Sequence, residues 1–157
     1  MRITVYSVAG KMPRWVDEAV SEYQKRLKAY ATVKWVELPM AKRGKTGHAE
    51  QWREIEAQTL RSRIPEHSFR LLLDVKGHSY STTAFAEQLA QIQQIPQDIA
   101  IIIGGPDGVD DQYKRECQQM MALSELTFPH PLVRVILAEQ LYRALSWLAG
   151  HPYHRDG

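Results

Sequence analysis

Residues 99–108 read Ile-Ala-Ile-Ile-Ile-Gly-Gly-Pro-Asp-Gly, five apolar residues followed by five turn-forming ones. A short apolar run without polar alternation is typical of a strand covered on both faces, as in the middle of a parallel sheet. A second run of this kind lies at Phe69 to Val75. Two such strands predict an α/β fold, because parallel strands are joined by crossover segments that are usually helical.

The rest of the chain alternates between strand and helix patterns. β-branched and aromatic runs predict strands, apolar residues at helical spacing predict helices, and Gly150 stands where the last helix would end. The predicted strands are 3–8, 33–38, 69–75, 99–103 and 123–128. Helices are predicted after Pro13, over 48–64, from Ser81 or Thr82 onward, over 110–121 and over 131–149. We therefore expect one domain over residues 1–157, with a mostly parallel sheet flanked by helices.

Composition narrows the class of protein. With 44% hydrophobic and 24% charged residues among 157, the chain is ordinary for a globular domain. Cys117 is the only cysteine, which excludes an intramolecular disulfide and a Cys-rich zinc module, and its helical apolar neighbours favour core packing. The sequence has no signal-peptide layout and no apolar run of membrane length, so we expect a cytoplasmic protein without a membrane partner.

Positive charge is concentrated near the start of the chain. The formal net charge is only +2, but residues 1–48 hold ten Lys and Arg against four Asp and Glu. The loop at 42–47 ends in Gly-Lys-Thr like a P-loop, yet Pro39 stands where the first P-loop glycine is required. We interpret the loop as a flexible basic arm in which Lys42, Arg43 and Lys45 contact RNA. A solvated helix face and loop is the alternative.

The Gly104–Gly108 turn at the end of the predicted central strand has two interpretations. It is either a plain turn or a ligand loop, since open α/β sheets bind ligands at the carboxyl ends of their strands. The dinucleotide fingerprint is excluded because Pro106 stands where its second glycine is required. The loop contains no Lys or Arg, so an uncharged group such as adenosine fits it better than a phosphate.

The predicted last helix is apolar around most of its circumference. A terminal helix of this kind needs more cover than a small domain provides, which predicts a homodimer interface. Arg134 and Arg143 are expected on its polar stripe. The apolar positions are Leu132, Val133, Val135, Ile136, Leu137, Leu141, Leu145, Trp147 and Leu148.

The C-terminal tail has the residue types of an RNA site. Tyr153 offers an aromatic ring for stacking, His154 a proton-exchanging group and Arg155 a phosphate ligand. A frayed, solvated tail is the alternative. We predict no metal site, because flanking prolines hold the nearby histidines apart and no carboxylate or cysteine is suitably spaced with them.

Five motifs, in their order and spacing, resemble one known family. They are Leu-Leu-Leu-Asp-Val-Lys-Gly (71–77), Ile-Ile-Gly-Gly-Pro-Asp-Gly (102–108), Ser-Glu-Leu-Thr-Phe-Pro-His-Pro (124–131), Arg-Val-Ile-Leu-Ala-Glu-Gln-Leu-Tyr-Arg-Ala (134–144) and His-Pro-Tyr-His-Arg (151–155). The chain resembles, nearly end to end, the RlmH family of bacterial 23S rRNA pseudouridine N3-methyltransferases, of the SPOUT class.

The resemblance implies a SPOUT-type fold with a C-terminal trefoil knot, a homodimer built on the last helix, and S-adenosylmethionine as cofactor. It also implies 23S rRNA as the partner and substrate, either free or on the assembled ribosome. Carried over by motif, the cofactor site comprises Leu73, Gly105, Ser124, Glu125, Leu126, Thr127, Phe128 and Pro129.

Methylation of pseudouridine at N3 requires loss of the N3 proton. His154 is the candidate general base, and Arg143 or Arg155 would stabilise the developing anion or hold phosphate. A covalent cysteine mechanism is disfavoured by the core-like placement of Cys117. The alternative class of function is a non-catalytic RNA- or ribosome-binding protein with this fold, which would not need the cofactor.

Overall fold

Five strands and five helices alternate along the chain, and the computed structural model describes residues 1–153. The strands form one parallel sheet in the order β2-β1-β4-β3-β5. The elements are β1 (Arg2–Val8), α1 (Arg14–Leu27), β2 (Thr32–Leu38), α2 (Ala49–Arg63), β3 (Phe69–Ser79), α3 (Thr82–Gln93), β4 (Ile99–Ile103), α4 (Asp111–Glu116), β5 (Gln119–Ala122) and α5 (His130–Leu148).

Helices cover both faces of the sheet. On one face the core is built from α1, α3 and α5, and on the other from α2 and α4. β4 lies in the centre, paired with β1 on one side and β3 on the other, and all five of its residues are buried. The sequence prediction of an α/β fold around a parallel sheet is therefore confirmed. The trefoil knot stays a prediction.

The fifth strand lies earlier in the chain than the sequence predicts. The expected helix over 110–121 ends at Glu116, and the strand expected at 123–128 forms instead at Gln119–Ala122. β5 pairs with β3 across an irregularity between Leu73 and His78. At that point a Cβ on Gly77 would lie 2.6 Å from the backbone nitrogen of Met121. Pairing with a distant strand, rather than local helix propensity, decides this segment.

Helix boundaries follow the local signals more closely than helix faces do. Ser81 caps α3 by accepting a hydrogen bond from the Ala84 N–H, as predicted. On α2, Ile55 is 51% exposed while the neighbouring Glu56 is 3% exposed, so an acidic residue takes an inward position. Trp15 on α1 is half exposed.

α5 packs against both α1 and α3. Its buried residues include Arg134, which the sequence places wrongly on a polar stripe, and Leu141, which is fully enclosed by its own chain. An outer stripe of apolar side chains stays partly exposed, and Gly150 follows the helix with φ +77°. The stripe consists of Leu132, Val135, Ile136, Trp147 and Leu148.

Candidate active site

A cavity of about 620 Å³ opens at the carboxyl ends of β1 and β4 and beside residues 73–75 in the middle of β3. Parallel sheets bind ligands at this edge, and the volume suits a small molecule of cofactor size. Its walls are four loops or strand ends plus the start of α5. The lining residues are Val8, Ala9, Gly10, Met12, Met40, Leu73, Asp74, Val75, Ile103, Gly104, Gly105, Pro106, Gly108, Val109, Leu123, Ser124, Leu126, Phe128, Pro129, His130 and Val133.

Most of the sequence-predicted cofactor residues meet at this cavity. Leu73, Gly105 and four residues of the 124–129 loop (Ser124, Leu126, Phe128 and Pro129) line it. Glu125 and Thr127 belong to the same loop, but both are exposed and neither is a lining residue. Within residues 1–153, no Lys or Arg lines the cavity, which agrees with the expectation of a ligand without phosphate groups.

One carboxylate in the cavity wall is paired with a lysine. Asp74, with a side chain only 10% exposed, forms an ion pair with Lys114 at 3.0 Å. Its Oδ1 also accepts a hydrogen bond of 2.8 Å from the Lys76 N–H. Asp74 was not among the expected site residues, although it lies inside the Leu-Leu-Leu-Asp-Val-Lys-Gly motif.

His130 is a second lining residue that the sequence analysis missed as part of the cavity. Its Nε2 lies 2.9 Å from the buried Ser7 Oγ, and the Arg134 Nε–H donates to the same nitrogen at 3.2 Å. Because a guanidinium can only donate, Nε2 accepts and the ring is neutral. Burial, followed by the charge of Arg134, lowers the pKa of His130 from 6.5, while a hydrogen bond with the Gly104 backbone opposes the shift.

A buried carboxylate also supports the loops around the cavity from behind. Glu56 accepts hydrogen bonds at Oε2 from Arg43 Nη1 (2.7 Å) and from the Ala41 N–H (3.0 Å). Arg43 Nη2 donates to Asp107 Oδ2 at 2.8 Å, and its guanidinium lies 5.3 Å from the Trp52 ring. The expected flexible arm is therefore anchored at Arg43. Lys42 and Lys45, by contrast, are exposed.

The candidate catalytic and RNA-contacting residues at the C-terminus form a separate cluster. Arg143 pairs with Glu139 at 2.7 Å, and its guanidinium lies 5.0 Å from the Tyr153 ring. The Tyr153 ring also packs on Tyr142, and burial, followed by a hydrogen bond with Tyr23, raises the pKa of Tyr153 to about 12. His154 and Arg155 lie outside the described residues.

The cluster is distant from the cavity within one chain. Arg143 follows the cavity-lining His130 by thirteen residues on α5, about 20 Å along the helix axis. Neither Arg143 nor Tyr153 lines the cavity. The structure brings the predicted cofactor residues together and leaves the predicted catalytic Arg143 apart from them.

Other kinds of site receive no support from the part of the chain that the structure describes. Cys117 is half-buried, and burial raises the pKa of its thiol to about 11, which makes it a poor nucleophile near neutral pH. Residues 1–153 contain no group of three or more His, Cys, Asp or Glu side chains placed to hold a metal ion. In the same range, no helix is long and apolar enough to cross a membrane.

Comparison with known proteins identifies the protein family. A family model described as "Predicted SPOUT methyltransferase" matches residues 1–154. The chain therefore belongs to the SPOUT methyltransferase family, which agrees with its parallel sheet and its cavity at the strand ends.

Full-length relatives define the family further. Ribosomal RNA large subunit methyltransferase H of Francisella philomiragia is 43% identical over 99% of this chain and 100% of its own length. The proteins of that name from Hydrogenovibrio crunogenus and Neisseria gonorrhoeae are 46% and 44% identical, each over 99% of this chain and 100% of their own length. The chain is a member of this family of large-subunit methyltransferases, as its motifs predicted.

Proposed function

We propose that the chain folds as one domain over residues 1–157 and transfers a methyl group from S-adenosylmethionine to N3 of a pseudouridine in bacterial 23S rRNA. The observation that supports this most directly is the 620 Å³ cavity, which gathers six of the eight motif-assigned cofactor residues in a chain of the SPOUT methyltransferase family. The relatives named above are ribosomal RNA methyltransferases of the large subunit. With a ribosomal RNA substrate, we propose that the protein acts in the cytoplasm.

The cavity fits the cofactor by its chemistry. Apolar side chains such as Leu73, Ile103 and Phe128 suit an adenosine, and the backbone of the Gly104–Gly108 loop is open to it. Asp74 is the acidic lining residue among those described, and a carboxylate is compatible with a cationic sulfonium. When bound, S-adenosylmethionine supplies an already activated methyl group, so the protein's task is to bind, orient and exclude water.

Proton removal is assigned to the C-terminal cluster. We place His154 as the general base for the N3 proton, with Arg143 stabilising the developing anion and Tyr153 and Arg155 contacting RNA. The ion pair with Glu139 holds the Arg143 guanidinium in one place. Lys42 and Lys45, both exposed, would contact the rRNA backbone.

A homodimer would bring the cavity of one copy next to the C-terminal cluster of the other. Because Arg143 lies about 20 Å along α5 from His130, the cavity of one copy would be completed by Arg143 and the tail of a second copy. The partly exposed apolar stripe on α5 is the proposed interface.

The test is methyl transfer from isotope-labelled S-adenosylmethionine to ribosomes purified from cells that lack this protein, with the product base identified by mass spectrometry. Free 23S rRNA serves as the parallel substrate, and we expect label only with ribosomes, on N3 of one pseudouridine. Phe128→Ala should weaken cofactor binding at least tenfold, whereas Ile95→Ala, an exposed residue just before β4 at the opposite sheet end, should not. A wild-type protein that binds ribosomes but gives no calorimetric signal with the cofactor would favour the non-catalytic binder.

A further inference from the structure

Three charged residues join the two loops on either side of the cavity. Arg43 lies in the β2–α2 connection, Glu56 on α2 and Asp107 in the loop after β4. The guanidinium bridges the two carboxylates with Nη1 on Glu56 and Nη2 on Asp107, while Nη1 also donates to the Ala41 carbonyl at 2.6 Å. We call these three residues the Arg43 cluster.

The cluster stands behind the cavity and not inside it. None of its three side chains lines the cavity, but their neighbours do: Met40 in one loop, and Gly105 and Pro106 in the other. The side chains of Arg43, Glu56 and Asp107 are 22%, 4% and 28% exposed. Largely desolvated charge pairs of this kind hold their geometry more firmly than pairs on the surface.

Gly105 connects the cluster to the cavity wall. A Cβ at position 105 would lie 2.7 Å from Glu56 Oε1, and its three nearest atoms all belong to the Glu56 carboxylate. That Oε1 atom is buried and has no hydrogen-bond partner among the described residues. The carboxylate therefore fills the space that a side chain at 105 would need. A side chain at 105 would displace this carboxylate from its bonds with Arg43 and the Ala41 N–H.

We propose that Arg43, Glu56 and Asp107 are positioning residues that hold the 39–43 and 104–108 loops in register as the two walls of the cofactor cavity, and thereby determine cofactor affinity. This inference rests on the proposed function of the cavity. It assigns Arg43 to the site's support, whereas Lys42 and Lys45 of the same loop remain free for RNA contact.

The first variant for testing this is Asp107→Ala. It removes the bond to Arg43 but leaves the buried Arg43–Glu56 pair intact, so the chain keeps its fold. The matched control is Glu116→Ala, which removes the carboxylate partner of Arg61, an exposed arginine of α2 paired at 2.8 Å. Arg43→Lys is the second variant, because a lysine cannot bond both carboxylates in a fork.

Asp107→Ala is expected to raise the calorimetric Kd for S-adenosylmethionine at least tenfold, and the control to leave it within twofold of wild type. At saturating cofactor, the methyl-transfer rate and the KM for ribosomes should stay within threefold of the wild-type values. General destabilisation would not raise the cofactor Kd while leaving these two quantities unchanged. In a double-mutant cycle, Arg43→Lys should add little to Asp107→Ala, because both act on one connection. An unchanged cofactor Kd in both single variants would overturn the proposal.

Hydrogen exchange of the ligand-free protein separates this inference from the proposed function. The backbone amides of Gly104, Gly105, Gly108 and Ala41 should exchange at least tenfold faster in Asp107→Ala than in Glu116→Ala. Equal exchange in the two variants would refute the positioning role even if the protein methylates ribosomes. If wild-type protein fails to bind S-adenosylmethionine, the proposed function fails, and the exchange rates alone then decide the positioning role.

Discussion

At the scale of single residues, the most informative positions are charged or polar groups that the fold buries. Glu56, Arg134 and Ser7 are all at most 4% exposed, and each contributes to a network beside the cavity. Burying such groups is costly unless they are hydrogen-bonded, and all three lie at the end of the sheet where the cavity opens. Glu56 Oε1 and Arg134 Nη2 are buried without a partner among the described residues.

His130 yields a prediction about pH. Since burial and Arg134 lower its pKa in the folded protein, the unfolded chain binds more protons at this site below pH 6.5. The free energy of unfolding should therefore fall as the pH drops from 7 to 5. His130→Gln should cost about 1 kcal/mol at pH 8, where it loses the hydrogen bond with Ser7, and should make this decline shallower.

Urea denaturation at several pH values measures both effects. The exposed His67→Gln is the control and should reproduce the wild-type profile. A His130→Gln profile parallel to that of wild type would show that His130 does not titrate as the structure implies.

At the scale of elements, α5 links the cavity, the core and the outer surface. Its first residue, His130, lines the cavity; its middle is buried against α1 and α3; and Arg143 lies near its other end. One helix can serve all three because it runs for 19 residues, about 28 Å. Changes on its different faces should consequently have different effects.

Leu132→Asp tests the outer stripe. Leu132 is 40% exposed in one chain, so an aspartate there is tolerated by the monomer and opposed only by an interface. We expect the wild type to sediment as a dimer at micromolar concentration and Leu132→Asp to sediment mainly as a single chain. Ile55→Asp, at a similarly exposed site on α2, should remain dimeric. A single-chain mass for the wild type in sedimentation equilibrium would contradict the proposed homodimer.

At the scale of the whole molecule, the uneven charge distribution separates cofactor binding from RNA binding. The cavity has no Lys or Arg in its described lining, while the exposed Lys42 and Lys45 lie in the loop beyond its Met40 wall. Phosphate contacts release counterions and make binding depend on salt, whereas the adenosine part of the cofactor carries no phosphate and makes no such contact.

Replacing Lys42 and Lys45 together by alanine should weaken ribosome binding and reduce its dependence on salt. Each lost phosphate contact lowers the slope of log K against log salt by about 0.7–0.9, so two contacts predict a decrease of about 1.5. The cofactor Kd should not change. The control pair, Arg63→Ala with Arg115→Ala, removes two exposed arginines at the opposite sheet end. Identical slopes in filter-binding titrations of the Lys variant and wild type would leave these lysines as solvated loop residues.

The sequence by itself determined the features that depend on neighbouring residues. Apolar runs at 69–75 and 99–103 predict the central strands, Ser81 and Gly150 mark helix ends, and the Gly104–Gly108 loop marks the cavity edge. Each of these signals is local, because burial on both faces, helix capping and backbone freedom depend on residues that are close together in the sequence. Most of the residues that line the cavity belong to the family motifs at 71–77, 102–108 and 124–131.

Only the tertiary structure decided which distant groups meet. β5 forms at Gln119–Ala122 because β3 offers it a pairing edge, although the local pattern continues a helix. Arg43 reaches Asp107 across 64 residues and Ser7 reaches His130 across 123. A charged side chain in a basic loop has the same local pattern whether it is solvated or buried. Its role is set by the partner that the fold places beside it, because desolvation and pairing energies depend on three-dimensional contacts and not on sequence neighbours.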